Sequence, residues 1–288
     1  MSTRPGTHPA HTALLRLAAD PAVADAAQQA RDACAQLRWH QALRRRIPEA
    51  AAESRVRGAH ASAALDGAEL PVDLVRAMVV GVRELSGADL DPVDKVVAGA
   101  VRATAESEHV ATLVASAPLQ ALARLHVAAA TGLVPAEQLG RPRQAGEGCT
   151  EARDLGPAPD AAEVADRLGS LVLMLQAPSD VPALVVAGLA HAEVAVLRPF
   201  AAGNALVARA LERAIIVGRG LDATGVVVPE AGHRRVAGDL AYRAALGGYA
   251  SGSVRGVVGW LERCGRAVVA GAAAGTEVAD AVLVGRTS

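Results

Sequence analysis

The residues best suited to chemistry lie in one short segment between two apolar, alanine-rich stretches, from Leu197 to Arg209. Pro199 predicts that the first stretch, a helix from about residue 182, ends at Leu197. Gly203-Asn204 then predicts a turn whose free backbone N–H groups open the next helix, from Asn204 to about residue 218. A helix start of this kind favours negative charge, so the segment predicts an anion-binding loop. Phe200, the only phenylalanine of the chain, is expected to fill the core beneath it.

This segment resembles the signature of the Fic (Fido) family, His-Pro-Phe-x-(Asp/Glu)-Gly-Asn-Gly-Arg-x-x-Arg, in one frame without a gap. The matching residues are Pro199, Phe200, Gly203, Asn204 and Arg209. The resemblance implies an all-α Fic-type helical bundle with a short flap hairpin or loop. It also implies the activity of protein adenylyltransferases, which transfer AMP from ATP to a protein hydroxyl.

Four positions depart from that signature. Arg198 replaces the family's catalytic His, Ala202 replaces its metal-binding acid, and Ala205 and Leu206 replace the next Gly and Arg. A guanidinium stays protonated, so Arg198 can hold a phosphate but cannot accept a proton. Losing a general base typically lowers the rate ~10²–10⁴-fold. Ala202 offers no oxygen ligand for magnesium.

We therefore predict a weak or inactive enzyme that keeps a nucleotide- or phosphate-binding loop. The predicted cofactor is ATP or another nucleotide, magnesium is expected to bind weakly or not at all, and no metal ligands are predicted. Two alternatives stay open: an active transferase that works by a variant mechanism, and a non-catalytic interaction or antitoxin-like protein. The predicted nucleotide-binding residues are Arg198, whose position is that of the catalytic His, Gly203, Asn204, Ala205 and Arg209.

A second motif lies upstream, at the end of a helix predicted from about residue 48 to Leu65. Ser62, Asp66 and Gly67 match the Fic inhibitory motif (Ser/Thr)-x-x-x-Glu-(Gly/Asn), with Asp in place of Glu. The resemblance implies that Asp66 forms an ion pair with Arg209, the last Arg of the loop signature.

Two histidines are predicted to be structural. His126 follows a leucine in a pattern that resembles the Leu-His of the Fic core, and we expect it to be hydrogen-bonded at a helix contact. His191 lies seven residues before Arg198, on nearly the same helix face, about two turns from the loop. That distance argues against a direct catalytic role.

The elements that must position these residues are predicted to be helices. Hydrophobic residues make up 51% of the 288-residue chain and aromatic residues only 2%, so the core must rest on Ala, Val and Leu, which favours closely packed helices. Asp91-Pro92 is a typical helix start. We predict a flexible tail at 1–20, N-terminal helices with the inhibitory-like helix at 21–90, a Fic-like core at 91–265 and a C-terminal tail at 266–288.

Residues 140–159 are polar and rich in Gly and Pro, which excludes a core helix. In Fic proteins this position holds the flap, and Arg143 falls where the family often has an Arg. The resemblance implies a protein target at this segment, and Fic proteins often self-associate, so a homo-oligomer is a further expectation.

Composition excludes several other classes. Basic and acidic residues number 29 and 30, so a net charge of −1 predicts neither a nucleic-acid partner nor an anionic membrane. Three widely spaced cysteines predict neither a disulfide framework nor a zinc site. No apolar run reaches membrane-spanning length. We therefore expect a cytoplasmic protein.

Overall fold

The computed structural model describes residues 9–82 and 90–285, and within these ranges the chain is all-α, as predicted. Short 3-10 helices span Gln41–Arg44, Ala136–Gln138 and Arg153–Leu155. The α-helices of the described residues are α1 Pro9–Ala18, α2 Pro21–Arg38, α3 Ile47–Leu65, α4 Val72–Val79, α5 Pro92–Val110, α6 Pro118–Ala130, α7 Ala161–Leu175, α8 Ala183–Leu197, α9 Asn204–Gly218, α10 Pro229–Arg235, α11 Gly238–Ala250 and α12 Val254–Leu283.

Helices α8 and α9 form the centre of the bundle. Every residue of α8 except Ala183 and Glu193 is buried, which follows from its apolar sequence on all faces. The two helices pack on each other, and α5, α6, α10, α11 and α12 surround them. Gly188 lets α12 approach α8 closely, because a Cβ at this position would lie 2.9 Å from the Leu261 side chain. The loop between α8 and α9 is therefore held by two rigid, buried helices.

Local signals place several helix starts. Asp91 accepts a hydrogen bond from the backbone N–H of Asp94, and Pro92 is the first residue of α5, as the sequence predicts. Asp20 and Asp160 cap α2 and α7 in the same way. These caps fix the helix starts independently of tertiary packing.

The prediction of a C-terminal tail at 266–288 is wrong for the described residues. Helix α12 continues without a break to Leu283, and Val268 and Val278 are fully buried. Gly271 and Gly275 sit so close to the preceding chain that a Cβ on either would lie 2.7 Å from a backbone carbonyl oxygen. The Ala- and Gly-rich composition of this segment reflects close helix packing and not a tail.

The predicted tail at 1–20 is likewise helical where it is described, with Leu14 of α1 buried. Residues 1–8 and 286–288 lie outside the described residues, as does the segment 83–89 of the predicted N-terminal region. The 140–159 segment contains no strand among its described residues, so it is a loop and not a hairpin. Among the helices described, none combines the length and apolar character that crossing a bilayer requires.

Candidate anion-binding site

The loop between α8 and α9 is shaped by two left-handed residues and one asparagine. Arg198, at the end of α8, has φ 49° and ψ 60°, and Gly203, before α9, has φ 80°. Asn204 closes the loop on itself, because its Oδ1 accepts from the Phe200 N–H at 2.8 Å and its Nδ2 donates to the Phe200 carbonyl at 2.9 Å. The first turn of α9 consequently keeps its backbone N–H groups directed at the loop.

Phe200 and His126 support the loop from below. The two rings stack with centroids 3.9 Å apart, and Phe200 is buried. His126 Nδ1 accepts from the Gly140 N–H at 2.9 Å, and its Nε2 bonds the Ala202 carbonyl at 3.2 Å. Burial lowers the pKa of His126 to about 4, so the ring is neutral at physiological pH. Both ring nitrogens are committed to backbone groups.

A carboxylate of the chain itself occupies the anion-binding position. Glu151 Oε1 accepts from the Gly203 N–H at 2.6 Å, and Oε2 accepts from the Asn204 N–H at 3.0 Å and Asn204 Nδ2 at 2.8 Å. We call these three donors the anion hole. Because α9 has no side-chain cap of its own at Gly203, Glu151 supplies the cap from the 140–159 loop.

The three donors in the anion hole are all neutral amides. Burial raises the pKa of Glu151, and the hydrogen bonds from Asn204 and Gly203 oppose that rise. Nearby Asp66 raises the pKa further by repulsion. Hydrogen bonds and the helix N-terminus thus hold a carboxylate that has lost most of its contact with water.

Arg198 does not point its guanidinium into the anion hole. Its Nη1 donates to the carbonyls of Glu151, Ala152 and Gly156 at 2.9–3.2 Å, its Nη2 donates to Pro157 at 2.8 Å, and its Nε donates to Val196 at 3.2 Å. The residue is 2% exposed. Burial lowers the pKa of this guanidinium. Arg198 therefore anchors the loop that carries Glu151.

Arg143 anchors the same loop from its other end. Its backbone N–H donates to the Pro199 carbonyl at 2.7 Å, and its Nε donates to the Arg198 carbonyl at 2.9 Å. Its Nη1 and Nη2 donate to the carbonyls of Glu147 and Pro159 at 3.1 and 2.9 Å. Two buried arginines thus bind backbone carbonyls on either side of Glu151 and fix the backbone from which its carboxylate reaches the loop.

The ion pair predicted between Asp66 and Arg209 is present. Arg209 Nη2 lies 2.6 Å from Asp66 Oδ2, and Nε donates to Ser62 Oγ at 2.8 Å. Arg209 is fully buried, whereas the Asp66 side chain is 25% exposed. Burial alone would lower the pKa of Arg209, but Asp66 raises it above the usual value. Gly67, at φ 79°, turns the chain after α3.

The structure brings Arg198, Gly203 and Asn204 together at the loop, whereas Arg209 lies further along α9 and faces α3. Ala205 is half-buried on the first turn of α9. Sequence reasoning missed Glu151, and no local signal distinguishes it from the other acids of a polar loop.

His191 is fully buried on α8 and has polar partners at both ring nitrogens. Nδ1 lies 2.6 Å from Glu212 Oε2, and Nε2 lies 2.7 Å from the Tyr242 hydroxyl. Glu212 was also missed. A signal existed, because Glu212 lies in a helix predicted to be buried, where a carboxylate needs a partner.

No protein-family model and no curated protein matches the chain in sequence. Solved structures do match its fold. A Fic family protein from Desulfovibrio desulfuricans G20 superposes with a TM-score of 0.62 at 20% identity, over 100% of this chain and 78% of that one. Fic-1 from C. elegans has a TM-score of 0.62 at 17% identity, over 91% of this chain and 73% of that one.

A third match is a Fic domain-containing signaling protein from Bacteroides thetaiotaomicron VPI-5482. Its TM-score is 0.59 at 12% identity, and the alignment covers 88% of this chain and 98% of that one. Similarity at these identities establishes the fold, and the chain has the Fic fold.

Proposed function

We propose, from the Fic fold of this chain, that the protein transfers no nucleotide and that its anion hole is held closed by its own Glu151. In this proposal a phosphate group of ATP or another nucleotide binds only when the carboxylate leaves. The observation that carries the proposal is the set of three hydrogen bonds from Gly203 and Asn204 to Glu151.

The surroundings of the loop support the absence of transfer chemistry. Arg198, at the position of the family's base, is protonated and committed to backbone carbonyls. His126, a neutral imidazole beneath the loop, has both ring nitrogens bonded to backbone groups. At the position of the family's metal-binding acid, the Ala202 side chain has no ligand atom for magnesium, and the Ala202 carbonyl bonds His126.

The Glu151 carboxylate and a phosphate group compete for the anion hole. Glu151 belongs to the same chain as the anion hole, and a short chain connection gives its carboxylate an effective concentration on the order of millimolar at the hole. The carboxylate has lost hydration and binds only neutral donors, so a phosphate with more charge and more acceptor oxygens can displace it. Binding in the intact protein is therefore expected to be weak and largely independent of magnesium.

The remaining expectations extend this proposal. A protein partner would bind the exposed residues of the 140–159 loop, and its binding would move Glu151.

A cytoplasmic location is also part of the proposal, because the free thiols of Cys34, Cys149 and Cys264 fit a reducing compartment. The alternative of an active transferase requires a free general base, whereas among the described residues around the loop His126 is bonded to backbone groups and Glu151 to the anion hole.

Calorimetry with ATP, ADP and inorganic phosphate tests the proposal. We expect Glu151→Gln to bind at least one of them roughly tenfold more tightly, a difference of about 1.4 kcal/mol. The matched control is Glu147→Gln, on the same loop, because Glu147 bonds Arg141 and lies outside the anion hole. Magnesium should change the affinity less than about tenfold.

Label transfer completes the test. The wild-type protein and Glu151→Gln are each incubated with α-labelled ATP and protein from a lysate. Incorporation of label by either protein would refute the inactive assignment. Equal affinities of wild type, Glu151→Gln and Glu147→Gln would refute the closure by Glu151.

A further inference from the structure

Three metal-ligating side chains meet in the core, about two helical turns below the loop. His191 from α8, Glu212 from α9 and His233 from α10 are each no more than 1% exposed. His191 Nδ1 and His233 Nε2 lie 2.6 and 2.9 Å from Glu212 Oε2. The candidate ligand atoms of the three residues all lie within 4.8 Å of one another.

Two polar atoms of this cluster have no hydrogen-bond partner among the described residues. Both imidazoles bond the same carboxylate oxygen, Oε2, whereas Glu212 Oε1 and His233 Nδ1 are buried without a hydrogen-bond partner among the described residues. A buried polar atom that lacks a partner costs on the order of 1–3 kcal/mol. The unpartnered Oε1 belongs to the central carboxylate of the cluster, so an ion bound there would contact it.

The donor set selects a class of metal ion. Two imidazole nitrogens and a carboxylate suit zinc and other first-row transition metals, whereas magnesium and calcium prefer oxygen ligands alone. A bidentate Glu212 would supply both oxygens and complete four donor atoms with the two histidines. We propose that His191 Nδ1, His233 Nε2 and the Glu212 carboxylate form a buried structural site for such an ion, with zinc as the best fit.

The surroundings match those of a metal site. The second ring nitrogen of His191 is fixed by the Tyr242 hydroxyl at 2.7 Å, an outer hydrogen bond that orients a ligating imidazole. Trp260 encloses the cluster, stacked on His233 at 5.7 Å and edge-on to His191 at 5.1 Å. Arg263 Nη2 bonds the His233 carbonyl at 2.7 Å and fixes α10.

The geometry requires one small adjustment. An imidazole nitrogen and a carboxylate oxygen that bind the same zinc at a near-tetrahedral angle, each about 2.0–2.2 Å from the ion, are roughly 3.4 Å apart. The two nitrogen–oxygen pairs are 2.6 and 2.9 Å apart, so they must separate by roughly 0.8 and 0.5 Å on binding. Rotation of the Glu212 carboxylate, which also brings Oε1 inward, provides that movement. The ion would tie α8, α9 and α10 together.

Metal analysis of the intact protein tests the site. After expression with added zinc, we expect about one zinc ion per chain. X-ray absorption should show nitrogen and oxygen neighbours with imidazole scattering and without sulfur. Cobalt loaded in place of zinc should give the visible absorption of a tetrahedral site. Protein that binds neither ion, or whose zinc has sulfur neighbours, would overturn the proposal and leave a hydrogen-bonded cluster only.

Zinc binding by single-residue variants tests whether the ion lies in this cluster. Glu212→Gln and His233→Gln should abolish binding, and Tyr242→Phe should weaken it about 10–100-fold, the usual effect of losing an outer hydrogen bond. The matched control is His126→Gln, a buried histidine outside the cluster, which should bind zinc as the wild type does. Undiminished binding in folded Glu212→Gln and His233→Gln would overturn the assignment. If these variants do not fold, the spectra of the wild type decide the question alone.

Discussion

The first turn of α9 and its second turn bind carboxylates in different ways. At the first turn, Glu151 is held by the N–H groups of Gly203 and Asn204 and by an amide side chain, all of them neutral. Further along the helix, Asp66 is held by the guanidinium of Arg209, which is fully buried. Removing Glu151 leaves neutral donors that water or another anion can satisfy. Removing Asp66 leaves a buried charge.

The two contacts suit different uses. A neutral anion hole exchanges one anion for another at low cost, which suits a site that opens and closes. A buried ion pair is costly to break from one side, because the remaining charge has lost its hydration. The Asp66–Arg209 pair therefore joins α3 to α9 permanently, whatever occupies the loop.

The largest expected effect is the loss of stability in Asp66→Asn. Breaking a buried pair from one side costs roughly 3–5 kcal/mol, and the partial exposure of Asp66 favours the lower end, about 3 kcal/mol. Urea unfolding followed by circular dichroism measures it. In the control Glu69→Gln, which removes an exposed partner of Arg234, the free energy of unfolding should change by less than about 0.5 kcal/mol. Equal losses in the two variants would contradict the comparison.

A smaller and local effect is expected from Glu151→Ala. Without the carboxylate, the backbone amides of Gly203 and Asn204 should exchange with solvent roughly tenfold faster or more, as expected when a hydrogen bond to a charged group is lost. Amide exchange measured by NMR reports this, with Glu147→Ala as the control. Unchanged protection of both amides would show that Glu151 does not close the anion hole in solution.

Because of Glu151, the affinity of the anion hole for an added anion should change roughly a few-fold with pH. Because burial raises its pKa, this group takes up a proton at less acidic pH than an ordinary glutamate. The folded state then binds the proton more tightly than the unfolded state, so the contribution of Glu151 to stability declines as pH rises through its pKa. Protonation also weakens its hold on the anion hole.

Sulfate is the suitable probe, because its charge is constant between pH 5 and 8. Its affinity for the wild-type protein should rise as pH falls towards 5. The dependence should be smaller in Glu151→Gln, which has no carboxylate to neutralise. The same rise in both proteins would assign the effect to another group.

The smallest expected effect is that of Arg198→His on transfer activity, which should stay undetectable with α-labelled ATP. The variant restores a base but not the acid replaced by Ala202 or the cation replaced by Leu206, and groups that act as a unit do not contribute additively. Arg143 still anchors the loop that carries Glu151 in this variant, so we expect the carboxylate to keep filling the anion hole. Clear self-modification by Arg198→His would show that these departures are tolerated.

The predictable parts of the fold and site are those with local causes. The bounds of α9 follow from Gly203 before it, and α5 begins where Asp91 and Pro92 place it. The Asp66–Arg209 contact was predictable because both residues lie in segments that resemble Fic motifs, and the resemblance implies that the acid of one pairs with the last Arg of the other. The continuation of α12 to Leu283 was not predicted because its buried positions between Val268 and Val278 are small residues such as Gly271 and Gly275, which pack closely on backbone and make the helical pattern hard to recognise.

The all-α class, most helix bounds and the loop between α8 and α9 could be predicted from the sequence alone, because their causes are local. What fills that loop and what lies beneath it depends on the tertiary structure. Glu151 reaches Gly203 across 52 residues, and the ligand atoms of His191, Glu212 and His233 meet from three helices. Such contacts depend on how the helices and loops pack in three dimensions, and local propensity carries no information about them.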